Sequence, residues 1–171
     1  AVREDPDLVL VGEMRDLETI SLALNAASSG LLVFGTLHTN SAAKTVDRII
    51  NVFPTEEQEA VRSVLAECLK CVVAQQLLKR IGGGRCAAVE VMFSAPALPN
   101  LIREGKSHQL GSYISSGKRL GMISMDQALY EHVEAGRISR EAAIEKALDK
   151  TDFRKRMAMV QGPQDARLAE K

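Results

Sequence analysis

Two short stretches of the sequence place polar side chains directly after apolar runs. The first run, 7–12, is followed by Glu13; the second, 31–37, includes Thr36 and is followed by His38. Both runs have the length of a strand and are rich in Val and Leu, which indicates buried strands. The carboxyl ends of parallel strands meet at one edge of a sheet, where α/β folds place phosphate chemistry. We therefore expect Glu13, Thr36 and His38 to share a cleft.

These residue types suit phosphoryl transfer. A carboxylate such as Glu13 can polarise an attacking water, and His38 can donate a hydrogen bond to a phosphate, with Thr36 or Thr39 as hydroxyl partners. Two simpler interpretations stay open on the local pattern. In one, Glu13 or Asp16 only caps the following helix. In the other, the histidine is an ordinary loop residue.

The elements that would position these residues alternate between strands and helices. Asp16 is a suitable N-cap for a helix over 17–27, and Asn40 or Ser41 begins a second helix that ends at Pro54. A β-α-β-α order is typical of a parallel sheet with helices on its faces. The predicted fold class is therefore α/β, with a partial parallel sheet and flanking helices.

The remainder of the chain predicts a helix, a hairpin and a helical end. Thr55 and Gln58 have the spacing of a capping box, which predicts a helix as far as about Leu69. Two β-prone segments, 72–81 and 85–93, flank a triple glycine and predict a β-hairpin. Four short helical patterns follow Pro96 and predict a small all-helical subdomain; they cover residues 98–104, 108–116, 124–135 and 139–148.

These patterns predict three parts of the chain. Residues 1–95 are expected to form the α/β part, residues 96–161 the helical subdomain, and residues 162–171 a polar tail that frays.

Composition excludes several classes of protein. The 171 residues contain 22 Lys and Arg and 22 Asp and Glu, so the formal net charge is zero and we expect no nucleic-acid partner. The apolar runs are far shorter than the roughly 20 residues that cross a bilayer, so we expect no membrane insertion. Three cysteines indicate reduced thiols and a cytoplasmic protein. No group of residues has the spacing of metal ligands, so no protein-bound metal site is predicted.

Longer motifs resemble a known family. Residues 1–7 lead into residues 10–19, which read LVGEMRDLET, and residues 35–48 read GTLHTNSAAKTVDR. Both segments closely resemble the type II and type IV secretion ATPase superfamily, and within it the branch of pilus retraction, or twitching-motility, ATPases. The resemblance continues through 52–54 and 73–75 into the helical end, and so covers nearly the whole chain.

The resemblance implies a RecA-like sheet and assigns roles to individual residues. It implies that Glu13 is the catalytic carboxylate of an atypical Walker B segment and that His38 belongs to a histidine box near the nucleotide phosphates. Arg3 and Arg15 become candidates for an arginine that reaches nucleotide on a neighbouring subunit. The helical end resembles the family's retraction motif, whose matching residues are Asn100, Leu101, Ile102, Arg103 and Glu104.

The resemblance also implies cofactors and partners. It implies ATP and Mg²⁺ as cofactors and a homo-hexamer as the working assembly. It further implies a cytoplasmic protein at the inner-membrane face of the pilus machine, where a platform protein is its partner. Hydrolysis would then drive the return of pilin subunits into the inner membrane.

Three departures from the family pattern qualify the expectation. No Gly-x4-Gly-Lys-Ser/Thr motif occurs, so the loop that cradles nucleotide phosphates is absent from this sequence. Leu31 stands where the family has a histidine, and Pro99 stands where its retraction motif has an arginine. The chain also begins with Ala1 rather than Met. We therefore expect a C-terminal portion of a longer motor ATPase, inactive alone.

Two alternative functions stay open. Either the longer protein is a pilus-assembly or type II secretion ATPase, or the chain is a non-catalytic interaction module that docks on a complete motor. The absence of a cysteine-rich metal module, together with the match at 100–104, favours retraction.

Overall fold

The computed structural model describes residues 6–159, and the predicted α/β class is confirmed. The strands are β1 (Leu8–Val11), β2 (Leu32–Gly35), β3 (Cys71–Lys79) and β4 (Arg85–Phe93). The helices are α1 (Leu17–Ser28), α2 (Ala42–Asn51), α3 (Gln58–Cys68), α4 (Leu98–Arg103), α5 (Leu110–Ser116), α6 (Met125–Glu134), α7 (Arg140–Lys146) and α8 (Lys150–Ala158). Within the described range, no helix combines the length and the apolar character needed to cross a membrane.

The first two strands form a parallel pair because α1 crosses between them. Leu8 pairs with Leu32, and the pairing continues in register to Val11 and Gly35. The predicted cap of α1 is confirmed, since the Asp16 carboxylate accepts a hydrogen bond from the Thr19 amide at 2.8 Å. This arrangement brings the carboxyl ends of both strands to the same edge.

Local hydrogen bonding decides where the next two helices begin. Ser41, one of the two predicted starts, caps α2, and its hydroxyl accepts from the Lys44 amide. The capping box predicted at Thr55 is wrong, because α3 begins only at Gln58 and has no side-chain cap. The Gln58 amide group instead donates to the Phe53 carbonyl at 3.1 Å, which fastens the start of α3 to the preceding segment.

The hairpin of β3 and β4 is also as predicted, and its connection explains the triple glycine. Gly82, Gly83 and Gly84 all have positive φ, at 85°, 107° and 76°. Residues with a Cβ rarely adopt this backbone conformation. The Arg80 amide donates to the Gly84 carbonyl at 3.1 Å and closes the turn. The three glycines therefore serve a tight turn between strands.

Two compact units make up the described chain. The first consists of residues 6–72 and 93–113, and the second of residues 73–92 and 114–159. In the first unit α3 packs against α1, α2 and α4. In the second unit the hairpin and the last three helices share one apolar core, whose largest buried members include Leu129, Ile138 and Phe153.

Hydrogen bonds hold the chain that follows β4 within the first unit. The Ser94 amide donates to the Lys70 carbonyl at 2.8 Å. The Tyr113 hydroxyl donates to the Phe93 carbonyl at 2.8 Å and accepts from the Ala95 amide at 2.9 Å.

The compact units therefore group the chain differently from the predicted boundary between residues 95 and 96. The hairpin joins the helices that follow it, while α4 joins the helices that precede the hairpin. The predicted tail, 162–171, lies outside the described residues.

Candidate active site

The edge of the parallel pair brings together the polar residues that follow β1 and β2. The Thr36 hydroxyl donates to the Gly12 carbonyl, and the Met14 amide donates to the Thr36 carbonyl at 2.9 Å. Gly12 and Met14 flank Glu13, so Thr36 holds the backbone on both sides of that residue. Thr36 thus binds the Glu13 segment directly, and its expected role in sensing phosphate stays a prediction.

The Glu13 carboxylate is the centre of a small charged cluster. Its Oε1 atom lies 2.6 Å from His38 Nε2 and also pairs with Arg15 Nε. The Glu13 side chain is 27 % exposed, whereas the Arg15 and His38 side chains are 72 % and 84 % exposed. A partly enclosed carboxylate therefore faces two groups that extend into solvent, where both can reach a ligand.

The charges of this cluster favour an ionised carboxylate. The hydrogen bond from the Arg15 guanidinium holds the pKa of Glu13 below its usual value, and the His38 imidazole acts in the same direction. Partial burial opposes both effects and raises the pKa. Glu13 is therefore suited to accept a hydrogen bond from water as an ionised carboxylate.

Helix capping does not account for Glu13. The residue that caps α1 is Asp16, and the hydrogen bonds from Thr19 lower the pKa of the Asp16 carboxyl. The Glu13 carboxylate contacts Arg15 and His38 instead. The His38 imidazole also contacts Glu13, and this contact is compatible both with a role in the site and with an ordinary loop residue.

The five residues that match the retraction motif lie in and just after α4, which packs against α3. Ile102 is buried, Leu101 is half-buried, and the other three side chains are exposed. Arg103 lies 3.5 Å from Glu67 of α3, and Glu104 pairs with Lys106 at 2.5 Å. The described contacts of the motif are thus with α3 and with its own neighbours. Arg3, the remaining candidate, lies outside the described residues.

A model of the type II/IV secretion system protein family matches residues 1–164. The chain belongs to this family. It is 60 % identical over 147 residues to the type IV pilus retractation ATPase PilT of Pseudomonas aeruginosa, covering 86 % of this chain and 43 % of that protein. It is 56 % identical over 148 residues to the twitching motility protein of Neisseria gonorrhoeae, covering 86 % and 40 % respectively.

A solved structure of the same type II/IV secretion family supports the fold. The crystal structure of the pilus retraction motor PilT with bound ADP superimposes with a TM-score of 0.81 at 46 % identity. The match covers 90 % of this chain and 43 % of that one. The chain thus spans less than half the length of these secretion-family relatives.

One contact in this secretion-family site was not predicted from the sequence. Thr39 Oγ1 lies 2.7 Å from Thr45 Oγ1, and the Thr45 hydroxyl donates to the Ser41 carbonyl at 2.9 Å. The motif that contains His38 includes all three residues, but no pattern shows that Thr39 and Thr45 meet. Their contact spans six residues and depends on how the chain enters α2.

The described part of this secretion-family chain offers no preformed metal centre. Within residues 6–159, no group of three or more His, Cys, Asp or Glu side chains is placed to hold a metal ion. Glu13 is a single carboxylate already paired with Arg15 and His38.

Proposed function

We propose that this chain is the C-terminal portion of a longer ATPase that powers type IV pilus retraction, and that Glu13 is its catalytic carboxylate. The observation that carries the proposal is the Glu13 cluster at the end of β1, where His38 Nε2 lies 2.6 Å from the carboxylate. The names of the two relatives, a pilus retractation ATPase and a twitching motility protein, support the part of the proposal that concerns pilus retraction.

The geometry supports a proposed role for each member of the cluster. Oε1 of Glu13 is engaged by Arg15 and His38, which leaves Oε2 to accept a hydrogen bond from the attacking water. His38 and Arg15 would present donors next to that water, where the transferred phosphoryl group carries its charge on its equatorial oxygens while the bonding electrons leave with the nucleotide oxygen. Glu13 would thus orient and polarise water while its two partners steady the phosphate.

Bound ATP with Mg²⁺ would supply the phosphoanhydride bond that is cleaved. The described residues fit the reacting end of such a nucleotide, through one ionised carboxylate and two exposed cationic or polar donors. The sequence contains no phosphate-cradling loop. We therefore assign the phosphate cradle and the Mg²⁺ ligands to a part of the longer protein that this sequence does not include.

An exposed apolar face supports the proposal that further chain covers this sheet. By alternation and register, Leu8, Leu10, Leu32 and Phe34 lie on one face of the parallel pair. Their exposed fractions are 50 %, 72 %, 47 % and 51 %. Parallel sheets normally have both faces covered, so a segment of the longer protein is the expected partner of this face.

The assembly is proposed on the family resemblance. It comprises a homo-hexamer in the cytoplasm, held at the inner-membrane face of the pilus machine by a platform protein. Because Arg15 pairs with Glu13 of its own chain, we assign it a role within one subunit. Arg3 then stays the candidate for contact with a neighbour's nucleotide. The residues of 100–104 are proposed to couple hydrolysis to retraction.

The test replaces Glu13 in the full-length protein. We expect Glu13→Gln to keep nucleotide binding and to lower kcat by about 100-fold or more, because the amide keeps the shape but loses the charge that polarises water. A matched control is Glu59→Gln, which changes an exposed carboxylate in α3 and is expected to leave kcat unchanged. An unchanged kcat in Glu13→Gln would rule out the catalytic role.

The same variant distinguishes retraction from assembly. Cells in which Glu13→Gln is the only copy are expected to keep surface pili and to lose twitching. Loss of the pili themselves would indicate an assembly ATPase. Full twitching despite a normal level of the variant protein would indicate a non-catalytic module.

A further inference from the structure

We propose that Thr39 and Thr45 are positioning residues that hold His38 against Glu13. The proposal rests on the function assigned to the Glu13 cluster above. Thr39 follows His38 directly, and Thr45 lies in the first turn of α2, which begins after the Ser41 cap. The two threonines thus join the loop that carries His38 to the helix behind it.

The direction of the hydrogen bonds follows from counting protons. A threonine hydroxyl has one hydrogen to donate. The Thr45 hydroxyl donates to the Ser41 carbonyl at 2.9 Å, so in the 2.7 Å contact between the two hydroxyls Thr39 must be the donor. The result is a chain of two hydrogen bonds that ends on a backbone carbonyl.

The acceptor end of this chain is well fixed. The exposed fractions of Thr45 and Ser41 are only 7 % and 4 %, and the Ser41 carbonyl also accepts from the Thr45 amide at 3.0 Å. Thr39 is half-buried beside them. Its hydroxyl therefore fastens the loop to a rigid helix start rather than to a mobile side chain.

His38 needs such an attachment because packing does not hold it. Its side chain is 84 % exposed, yet its Nε2 atom lies 2.6 Å from Glu13. On one side of His38 the backbone is held by Thr36, which bonds to Gly12 and Met14. On the other side the Thr39 bond is the corresponding attachment, so losing it would release one end of a very short loop.

The experiment uses full-length protein and steady-state ATP turnover. Thr39→Val keeps the shape of the side chain and removes the donor, whereas Thr39→Ser keeps the hydroxyl. We expect Thr39→Val to lower kcat about tenfold with little change in KM, since a small displacement of a catalytic group is costly. We expect Thr39→Ser to retain most of the activity. Thr55→Val, at an exposed turn position, is the matched control and should leave kcat unchanged.

A double-mutant cycle separates positioning from general stabilisation. If Thr39 acts through His38, Thr39→Val has no further effect on kcat in a His38→Ala background. An equal fall of kcat in both backgrounds, or a wild-type kcat in Thr39→Val, overturns the inference. Should Thr39→Val fail to fold, Thr45→Val in the same two backgrounds decides by the same criteria.

The outcome is distinguishable from failure of the proposed function. If Glu13→Gln abolishes turnover and Thr39→Val does not affect it, only the positioning role is wrong. If Glu13→Gln leaves turnover unchanged, the catalytic assignment is wrong and the positioning role falls with it.

Discussion

A single carboxylate oxygen of Glu13 pairs with two groups of different chemistry. Arg15 carries a guanidinium, which is always charged, whereas His38 carries an imidazole. Because both lie at the surface, their attraction to Glu13 is screened by water and salt. The pairing therefore adjusts and orients the carboxylate, and the loop attachments on either side of His38 determine its geometry.

Replacement of Arg15 should change the titration of Glu13. Since the Arg15 hydrogen bond is the main cause that lowers the pKa of Glu13, Arg15→Gln is expected to raise it towards the ordinary glutamate value. A lowered pKa keeps the carboxylate charged as pH falls, so the variant should lose that charge at a higher pH. In full-length protein the acid limb of the profile of kcat against pH should therefore move to higher pH.

NMR titration of the Glu13 side-chain carboxyl carbon measures this shift directly. Arg48→Gln, an exposed substitution in α2, serves as the charge-matched control and is expected to leave the titration as it is. An unaltered Glu13 titration in Arg15→Gln would contradict the assignment of Arg15 as its main partner.

Between elements, a buried carboxylate joins the hairpin to the helix that packs on it. Glu90 in β4 is only 2 % exposed, and its Oε2 atom accepts from the Met125 amide at 3.0 Å. Met125 is the first residue of α6, whose cap Ser124 accepts from the Gln127 amide at 3.3 Å. Glu90 thus satisfies one of the free amides at the helix start and holds the second unit together.

Removal of this carboxylate should destabilise the second unit. We expect Glu90→Ala to lower the free energy of unfolding by about 1–3 kcal/mol, because the Met125 amide loses its buried partner. Glu90→Gln should cost less, since its amide oxygen can still accept. Glu145→Ala, an exposed change in α7, is the control.

Chemical denaturation measures the stability, and hydrogen exchange at the Met125 amide locates the effect. The role assigned to Glu90 is wrong if Glu90→Ala unfolds at the same denaturant concentration as the protein without the substitution and the Met125 amide exchanges at an unchanged rate.

For the molecule as a whole, the proposed catalytic cluster and the phosphate cradle are expected to lie in different parts of the longer protein. The described chain places Glu13 and His38 together, while the sequence lacks the lysine and glycine-rich loop that supply most phosphate affinity in such enzymes. The relatives are more than twice as long as the part that this chain matches. Complete activity is therefore expected only from the longer protein.

The 171-residue chain by itself should not turn over ATP and should bind it weakly. Phosphate release and isothermal titration calorimetry measure the two properties, and full-length protein under the same conditions is the positive control. Steady turnover by the 171-residue chain, abolished by Glu13→Gln, would show that the cradle is present in this sequence after all.

Patterns within a few residues were sufficient to predict most elements. The strands before Glu13 and His38, the hairpin around the triple glycine, and the caps at Asp16 and Ser41 are all as expected. Each depends on contacts across short separations or on backbone preferences that the residue itself carries. The exception at Thr55 is instructive, because Gln58 binds a carbonyl five residues away instead of completing the local box.

The parallel pairing also followed from the order of elements, and it is the reason why Glu13 and His38 could be expected together. Which atoms meet was decided only by the tertiary structure. Oε1 of Glu13 receives both partners, the two threonines form a hydrogen-bonded chain, and Glu90 finds the start of α6 across 35 residues. Such contacts, and the grouping of the hairpin with later helices, depend on burial and on free backbone groups that segments distant in sequence must satisfy, which no local pattern records.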